Sequence, residues 1–194
     1  MMRPAIGIAL RRGVPADASR FAAVGAATFL ESFAGVLDGE DILHHGAAQH
    51  DAAIYRAWLQ DQAWHLWLAV AQPGDAPVGY LAMGPAGLPV HDPQPGDLEI
   101  KRIYLLHRFH GLGLGKRLMA AALTQAGQLG ARRLLLGVYA HNDAAIAFYR
   151  GLGFEPAGQR TFRVGERDYD DRILALSLAT AGTAPASHTK ETER

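Results

Sequence analysis

Phe109-His110-Gly111-Leu112-Gly113-Leu114-Gly115-Lys116 decides how this chain is read, because three glycines alternate with two leucines where a strand-like run meets a helical one. The strand runs from Asp97 to Leu106. The helix continues to about Leu129, with Leu114, Leu118 and Ala122, and Met119, Leu123 and Ala126, at helical spacing. Glycines let a backbone approach a ligand closely and adopt unusual φ values. The first N–H groups of a helix are unpaired and sit at the positive end of its dipole. A pyrophosphate suits such a turn.

Spacing separates the phosphate-binding patterns. A P-loop needs a glycine five residues before Gly115 and Ser or Thr after Lys116, but the chain has His110 and Arg117 there. A dinucleotide fingerprint needs G-x-G-x-x-G, whereas Gly111, Gly113 and Gly115 alternate strictly. It also needs an acidic residue at the end of the next strand, and none is clearly placed there, which disfavours that pattern. Taken alone, the turn is equally a connector that lets strand and helix pack tightly.

Upstream, Ile6 to Arg11 reads as a first strand, and Pro15 with Asp17 introduces an alanine-rich helix through about Glu31. Ser32 to Asp61 is polar and broken by Gly35, Gly39 and Gly46, so a mobile excursion with short helical pieces such as Ala52 to Leu59 is expected. Trp64 to Ala71 and Val78 to Met83 form a hairpin about Gln72-Pro73-Gly74-Asp75, followed by a loop from Pro85 to Gly96. Downstream, Arg133 to Tyr139 is a strand and Asn142 to Arg150 a short helix. Phe154 to Val164 and Tyr169 to Leu178 are a closing strand pair, with Leu174, Leu176 and Leu178 alternating onto one face. Residues 1–178 are expected to form one domain. Residues 179–194, small and charged, are expected to be a disordered tail.

The chain has 194 residues, 49% of them hydrophobic, enough for one domain with a sizeable core. Lysine plus arginine equals aspartate plus glutamate at 19 each, so no overall field draws it to nucleic acid or anionic lipid. Cysteine is absent, which excludes disulfides, thiolate zinc sites and a cysteine nucleophile. No leader pattern and no long apolar run is visible, so a cytoplasmic protein is expected, with room for a homodimer. His44, His45 and His50 are close in sequence but lack ligand spacing, and no metal is expected.

Ile103-Tyr104-Leu105 through Leu118 resembles the cofactor-binding core of the GNAT superfamily of N-acetyltransferases, Gln/Arg-x-x-Gly-x-Gly/Ala after a strand. Gly113 and Gly115 fill its glycine positions and His110 stands where the pattern has Gln or Arg. Leu136 to Asn142, then Ala145-Ile146-Ala147-Phe148-Tyr149 and Gly153-Phe154, is similar to the family's asparagine-to-tyrosine segment and closing Gly-Phe. Leu98-Glu99-Ile100-Lys101-Arg102-Ile103-Tyr104, with Phe162, Gly165 and Asp171, resembles the PaiA-like spermine/spermidine acetyltransferase branch.

The resemblance implies an α/β (α+β) fold, with a mixed, mostly antiparallel sheet of about six to seven strands splayed between the fourth and fifth and flanked by helices. It implies acetyl-CoA as donor and a small-molecule amine as acceptor. Backbone groups of Ile103, Tyr104 and Leu105 would pair with pantetheine, and His110, Gly111, Leu112, Gly113, Leu114, Gly115 and Lys116 would hold pyrophosphate. Tyr149 would face the departing sulfur. Asn142 would cap the helix that carries Tyr149 and touch CoA, or only cap it.

The chemistry sets a further demand. A lysine-like amine of pKa about 10.4 is neutral in roughly one molecule per thousand at pH about 7.4, a cost of roughly 4 kcal/mol. Glu99, six residues before Leu105, matches the glutamate base of the histone-acetyltransferase branch. The competing reading is a carboxylate paired with Lys101 or Arg102. The other base position in the superfamily, five residues before Asn142, is Gly137 here. Glu31, Asp38, Glu40 and Asp41 would attract a polyamine or be a solvated acidic patch. The run Trp58 to Trp67 would shape the acceptor pocket or only the core. A protein or peptide acetyltransferase and a non-catalytic acyl-CoA sensor remain as alternatives.

Overall fold

The computed structural model describes residues 7–165 and 167–178, so the expected tail lies outside the described residues, as does Ile6. In chain order the elements are β1 Gly7–Arg12, α1 Ala18–Phe33, α2 Gly39–Gln49, α3 Ala52–Gln60, β2 His65–Gln72, β3 Ala76–Pro85 and β4 Leu98–Leu105. They continue with α4 Leu114–Gln128, β5 Arg133–Tyr139, α5 Asp143–Arg150, β6 Glu155–Val164 and β7 Arg167–Ser177. One seven-stranded sheet runs β1-β2-β3-β4-β5-β7-β6. Only β4 and β5 pair in parallel. No helix among the described residues is long and apolar enough to cross a membrane.

Alternation along each strand sorts side chains onto two covered faces. On one face, Leu118, Met119, Ala122 and Ala126 of α4 and Ile146 and Tyr149 of α5 pack on Leu81, Ile100, Leu134 and Leu136. On the other, Phe21 and Val24 of α1 and Tyr55 of α3 pack on Leu66, Leu68 and Tyr80. α2 extends this second face toward β6 and β7, where Ile42 meets Phe29, Val164 and Tyr169.

Of the stretch expected to be an excursion with short helical pieces, Ala52 to Leu59 is helical as expected, within α3, and Gly39–Gln49 forms a further helix, α2. Asp38 and Asp51 accept N–H bonds from Glu40 and Ala53 and so start α2 and α3. Gly39 and Gly46, read as breaks, lie inside α2. A helical glycine costs about 1 kcal/mol relative to alanine, which packing against α1 outweighs here. Of the three glycines, Gly35 alone takes a positive φ, 83°.

Two irregularities in β4 prepare the site. Against β3, Ala82 pairs with Arg102 and Met83 with Ile100, leaving Lys101 as an extra residue. Ile100 and Ile103, three apart, consequently pack into the same core, while Arg102 and Tyr104 project toward α1 and α3. Against β5, pairing stops after Leu98–Leu134, Glu99–Leu135 and Ile100–Leu136. From Lys101 to Leu105 one edge of β4 has no strand beside it among the described residues, and the sheet is splayed between its fourth and fifth strands.

Candidate active site

After β4 a short turn at His107–Phe109 leads into Gly111 and Gly113, whose φ values are 76° and 73°. Other residues avoid this left-handed region at a cost of roughly 1–2 kcal/mol. A Cβ on either glycine would meet nothing within 4 Å, so conformation rather than crowding demands them and the backbone stays open. Gly115 is different: its Cβ would come 3.4 Å from the Phe148 ring, where α4 packs on α5. Gly113 starts α4 with no side-chain cap, and the first N–H bonded within the helix is that of Arg117, to the Gly113 carbonyl. The N–H groups of Leu114, Gly115 and Lys116 are left for a ligand. Leu112, Lys116 and Arg117 are exposed.

His110 Nε2 donates to the Leu105 carbonyl at 2.9 Å, the tautomer the acceptor requires. The residue that departs from the family pattern thus ties the turn to the strand. Ile103 and Leu105 pack toward α4 and α5, whereas Tyr104 stacks on Tyr80 with ring centroids 6.1 Å apart. Burial pushes the Tyr104 phenol up to about 12 against the opposing Arg102 charge.

Across the gap, Asn142 Oδ1 accepts the Ala145 N–H at 3.1 Å and caps α5. Tyr149 lies on the buried face of α5, edge-on to Phe148 and Phe154. Burial raises its pKa, and Tyr104 adds to the rise. Gly153, at φ 92°, turns the chain back so that Phe154 enters the core beside Tyr149.

On the face carrying α1 to α3 a polar net ties β3 and β4 to α3. Arg102 Nη1 donates to the Tyr55 hydroxyl at 2.8 Å, which also meets His50 Nδ1 at 2.8 Å and the Tyr80 hydroxyl at 3.2 Å. Burial drives the His50 pKa down to about 3, helped by Arg102 and His45, so its ring is neutral. Gly25 of α1 makes room, since its Cβ would fall 2.2 Å from His50 Nδ1. Trp58 stacks on Trp64 at 4.1 Å and carries the Arg102 guanidinium at 4.8 Å, while Trp67 belongs to the α4-side core. The tryptophan run is therefore divided between the two faces of the sheet.

Glu99 is buried: Oε2 accepts the Gly87 N–H at 2.9 Å and Oε1 pairs with Lys101 Nζ at 3.1 Å. It sits one residue before the β4–β5 pairing ends. Gly137 leaves a space on β5 that the Arg160 guanidinium fills. Arg160 Nε and Nη2 both donate to Asp171 Oδ2, at 3.0 and 2.9 Å. Burial raises the Asp171 pKa and Arg160 opposes the rise. Glu31, Asp38 and Asp41 are engaged elsewhere: Glu31 accepts the His107 N–H, Asp38 caps α2 and Asp41 lies against Gly165. His45 and His50 sit with their rings beside Phe29, at 4.2 and 5.8 Å. No cluster of three possible metal ligands occurs among the described residues.

The structure therefore brings Ile103 to Leu105, His110 to Lys116 and the Asn142 to Tyr149 helix around one gap. Sequence reasoning missed the Tyr55–His50–Arg102 net and the Arg160–Asp171 pair. Asp171 lies in a charged stretch, Arg167 to Arg172, that gives no local signal of the pair, and nothing local pointed to Tyr55 or His50.

Residues 36–154 match the acetyltransferase (GNAT) family. The chain is 33% identical over 162 residues to an uncharacterized N-acetyltransferase of Mycobacterium tuberculosis, covering 84% of this chain and 98% of that one. Its fold is similar to that of the PaiA N-acetyltransferase from Thermoplasma acidophilum, solved in complex with coenzyme A. That likeness has a TM-score of 0.71 at 16% identity, over 89% of this chain and 99% of the other. It is also similar to a Salmonella typhimurium protein solved with its cofactor acetyl-CoA, with a TM-score of 0.65 at 19% identity over 93% and 99% of the two chains. At these identities the two structures speak to the fold.

Proposed function

The chain belongs to the acetyltransferase (GNAT) family, and from that premise we propose that it moves the acetyl group of acetyl-CoA directly to a primary amine of a small molecule. The observation that carries this reading is the opening of the sheet after Ile100 and Leu136, beside a helix end whose first amides are free. The residues present fit the donor. Gly111 and Gly113 expose backbone with no side chain in the way, as a pyrophosphate needs, and the unpaired edge of β4 offers the N–H and C=O groups that an amide-bearing arm requires.

In this reading the backbone from Gly111 to Lys116 holds the pyrophosphate, with Leu112 and Leu114 flanking it, and Ile103, Tyr104 and Leu105 pair with the arm. Asn142 keeps its side-chain amide for the cofactor while its oxygen caps α5. Bound acetyl-CoA supplies an activated thioester carbonyl. A backbone N–H on the free edge of β4 donates to the carbonyl oxygen as charge gathers on it. Glu99, on the acceptor face of β4, takes the amine proton through a water, using lone pairs that Gly87 and Lys101 leave free.

Tyr149 stabilises the departing sulfur. An ordinary phenol of pKa about 10 is already a weaker acid than a thiol of about 8.5. Burial moves Tyr149 further from the thiol, so it acts as a hydrogen-bond donor rather than giving up its proton.

Calorimetric titration with acetyl-CoA and CoA release over a panel of amines and peptides test this. Binding with amine-dependent release is expected. Binding without turnover would identify an acyl-CoA sensor, turnover of peptides alone a peptide acetyltransferase, and no binding would overturn the reading.

A further inference from the structure

We propose that the acceptor amine carries a carboxylate, and that Arg102 binds it, which makes an amino acid or a similar small aminocarboxylate the substrate class. This rests on the transfer reaction proposed above.

Arg102 is the first residue after the extra Lys101, so its side chain leaves β4 on the acceptor face just where β5 falls away. The guanidinium is aimed before any ligand arrives. It lies 4.8 Å from the Trp58 ring centroid and 5.4 Å from that of Tyr55, and donates to the Tyr55 hydroxyl at 2.8 Å. Its other contact, Nη2 to Gln49 Oε1, is long at 3.5 Å. A guanidinium has more N–H donors than these two acceptors use, in a planar fork that suits a carboxylate.

Among the described residues no carboxylate pairs with Arg102. Lys101 takes Glu99, Asp171 takes Arg160, and Asp97 takes Arg133. The other groups facing it are His45, His50, Tyr55 and Tyr104. Burial lowers the pKa of both histidines and the Arg102 charge adds to it, so neither offsets the cation with a counter-charge. A half-buried cation without a counter-ion favours an anion. The same charge disfavours a polyamine, and of the acidic side chains that would attract one, Glu31 accepts the His107 N–H and Asp38 starts α2.

Arg102 is also separated from the cofactor's side of the gap. Its partners come from α2 and α3, whereas the glycine turn and α4 lie against the opposite face. A cofactor phosphate at the α4 N-terminus therefore does not compete for it. Beyond Arg102 the wall is aromatic: His45 meets Phe29 at 4.2 Å and Phe162 at 5.7 Å. An apolar or aromatic side chain on the aminocarboxylate fits such a wall.

The test compares matched amines: L-phenylalanine with phenethylamine, L-leucine with isoamylamine, and spermidine as the polyamine. The carboxylated member is expected to have the higher kcat/KM by roughly ten- to a hundredfold, the range of a charge-assisted bidentate contact. Arg102→Gln should collapse that ratio, chiefly through KM, and Arg102→Lys should restore part of it. Preference for the amine that lacks a carboxylate or for spermidine, or equal scaling of both members by Arg102→Gln, would overturn the assignment.

Calorimetry with hydrocinnamate and hydrocinnamamide, with and without CoA, reads the same contact without turnover. Tighter binding of the carboxylate that disappears in Arg102→Gln supports it, and equal binding to wild type overturns it. If no amine is acetylated while hydrocinnamate still discriminates, the transfer reading fails and the anion site stands. If amines react without a carboxylate preference, the reverse holds.

Discussion

The guanidinium of Arg160 occupies the space that a side chain at Gly137 would take, 3.0 Å from where a Cβ would stand, and Asp171 holds it there by two hydrogen bonds. One strand position that lacks a side chain is thereby supplied with a charge pair from the neighbouring hairpin. Gly137→Ala should push Arg160 off Asp171 and lower amine turnover while acetyl-CoA affinity, read by calorimetry, changes little. Asp171→Asn leaves the cation half-paired and should lower stability by roughly 1–3 kcal/mol in urea unfolding.

Tyr149→Phe should lower turnover by roughly ten- to a thousandfold with little loss of acetyl-CoA affinity, as expected when a donor acts mainly in the transition state. Single-turnover kinetics beside calorimetry separate the two. An unchanged rate would remove Tyr149 from the mechanism.

For Glu99→Gln the rate loss should be greatest at low pH, where removing the amine proton is hardest. A profile parallel to that of the wild type, with a lowered melting temperature, would instead make the carboxylate a clamp for Gly87 and Lys101.

Gly113→Ala places a Cβ in a left-handed conformation with open space around it. It should cost roughly 1–2 kcal/mol of local strain and weaken acetyl-CoA binding by roughly tenfold. Gly113→Asn should recover part of the loss, because asparagine tolerates that conformation.

His50 has a folded-state pKa of about 3 against an unfolded value near 6.5. Between these values the unfolded chain binds the extra proton, so stability rises with pH; the contribution is complete above about pH 6.5 and lost as pH falls toward 3. His50→Gln should flatten this acid limb, removing a dependence on the order of 2–4 kcal/mol in urea midpoints measured across the range. An acid limb of wild-type slope would show that His50 is solvated.

The glycine turn was legible because its information is local. Positive φ at Gly111 and Gly113 and a helix beginning at Leu114 are properties of neighbouring residues. The cap at Asn142 and the order of elements along the chain were legible for the same reason. Between Ser32 and Asp61, α3 was legible as Ala52 to Leu59, whereas Gly39 and Gly46 made α2 resemble a loop although contacts with α1 stabilise it.

The sequence by itself determined the order of elements, the phosphate-suited helix start and the tyrosine helix that returns beside it, since backbone preference and periodicity act over a few residues. Only the tertiary structure decided which polar side chains share the face carrying α1 to α3. Arg102 meets Tyr55 across 47 positions, and the extra residue Lys101 reverses the alternation that would otherwise point Arg102 to the opposite core. Register and bulges are settled by the packing of distant strands, and no short stretch of this chain contains them.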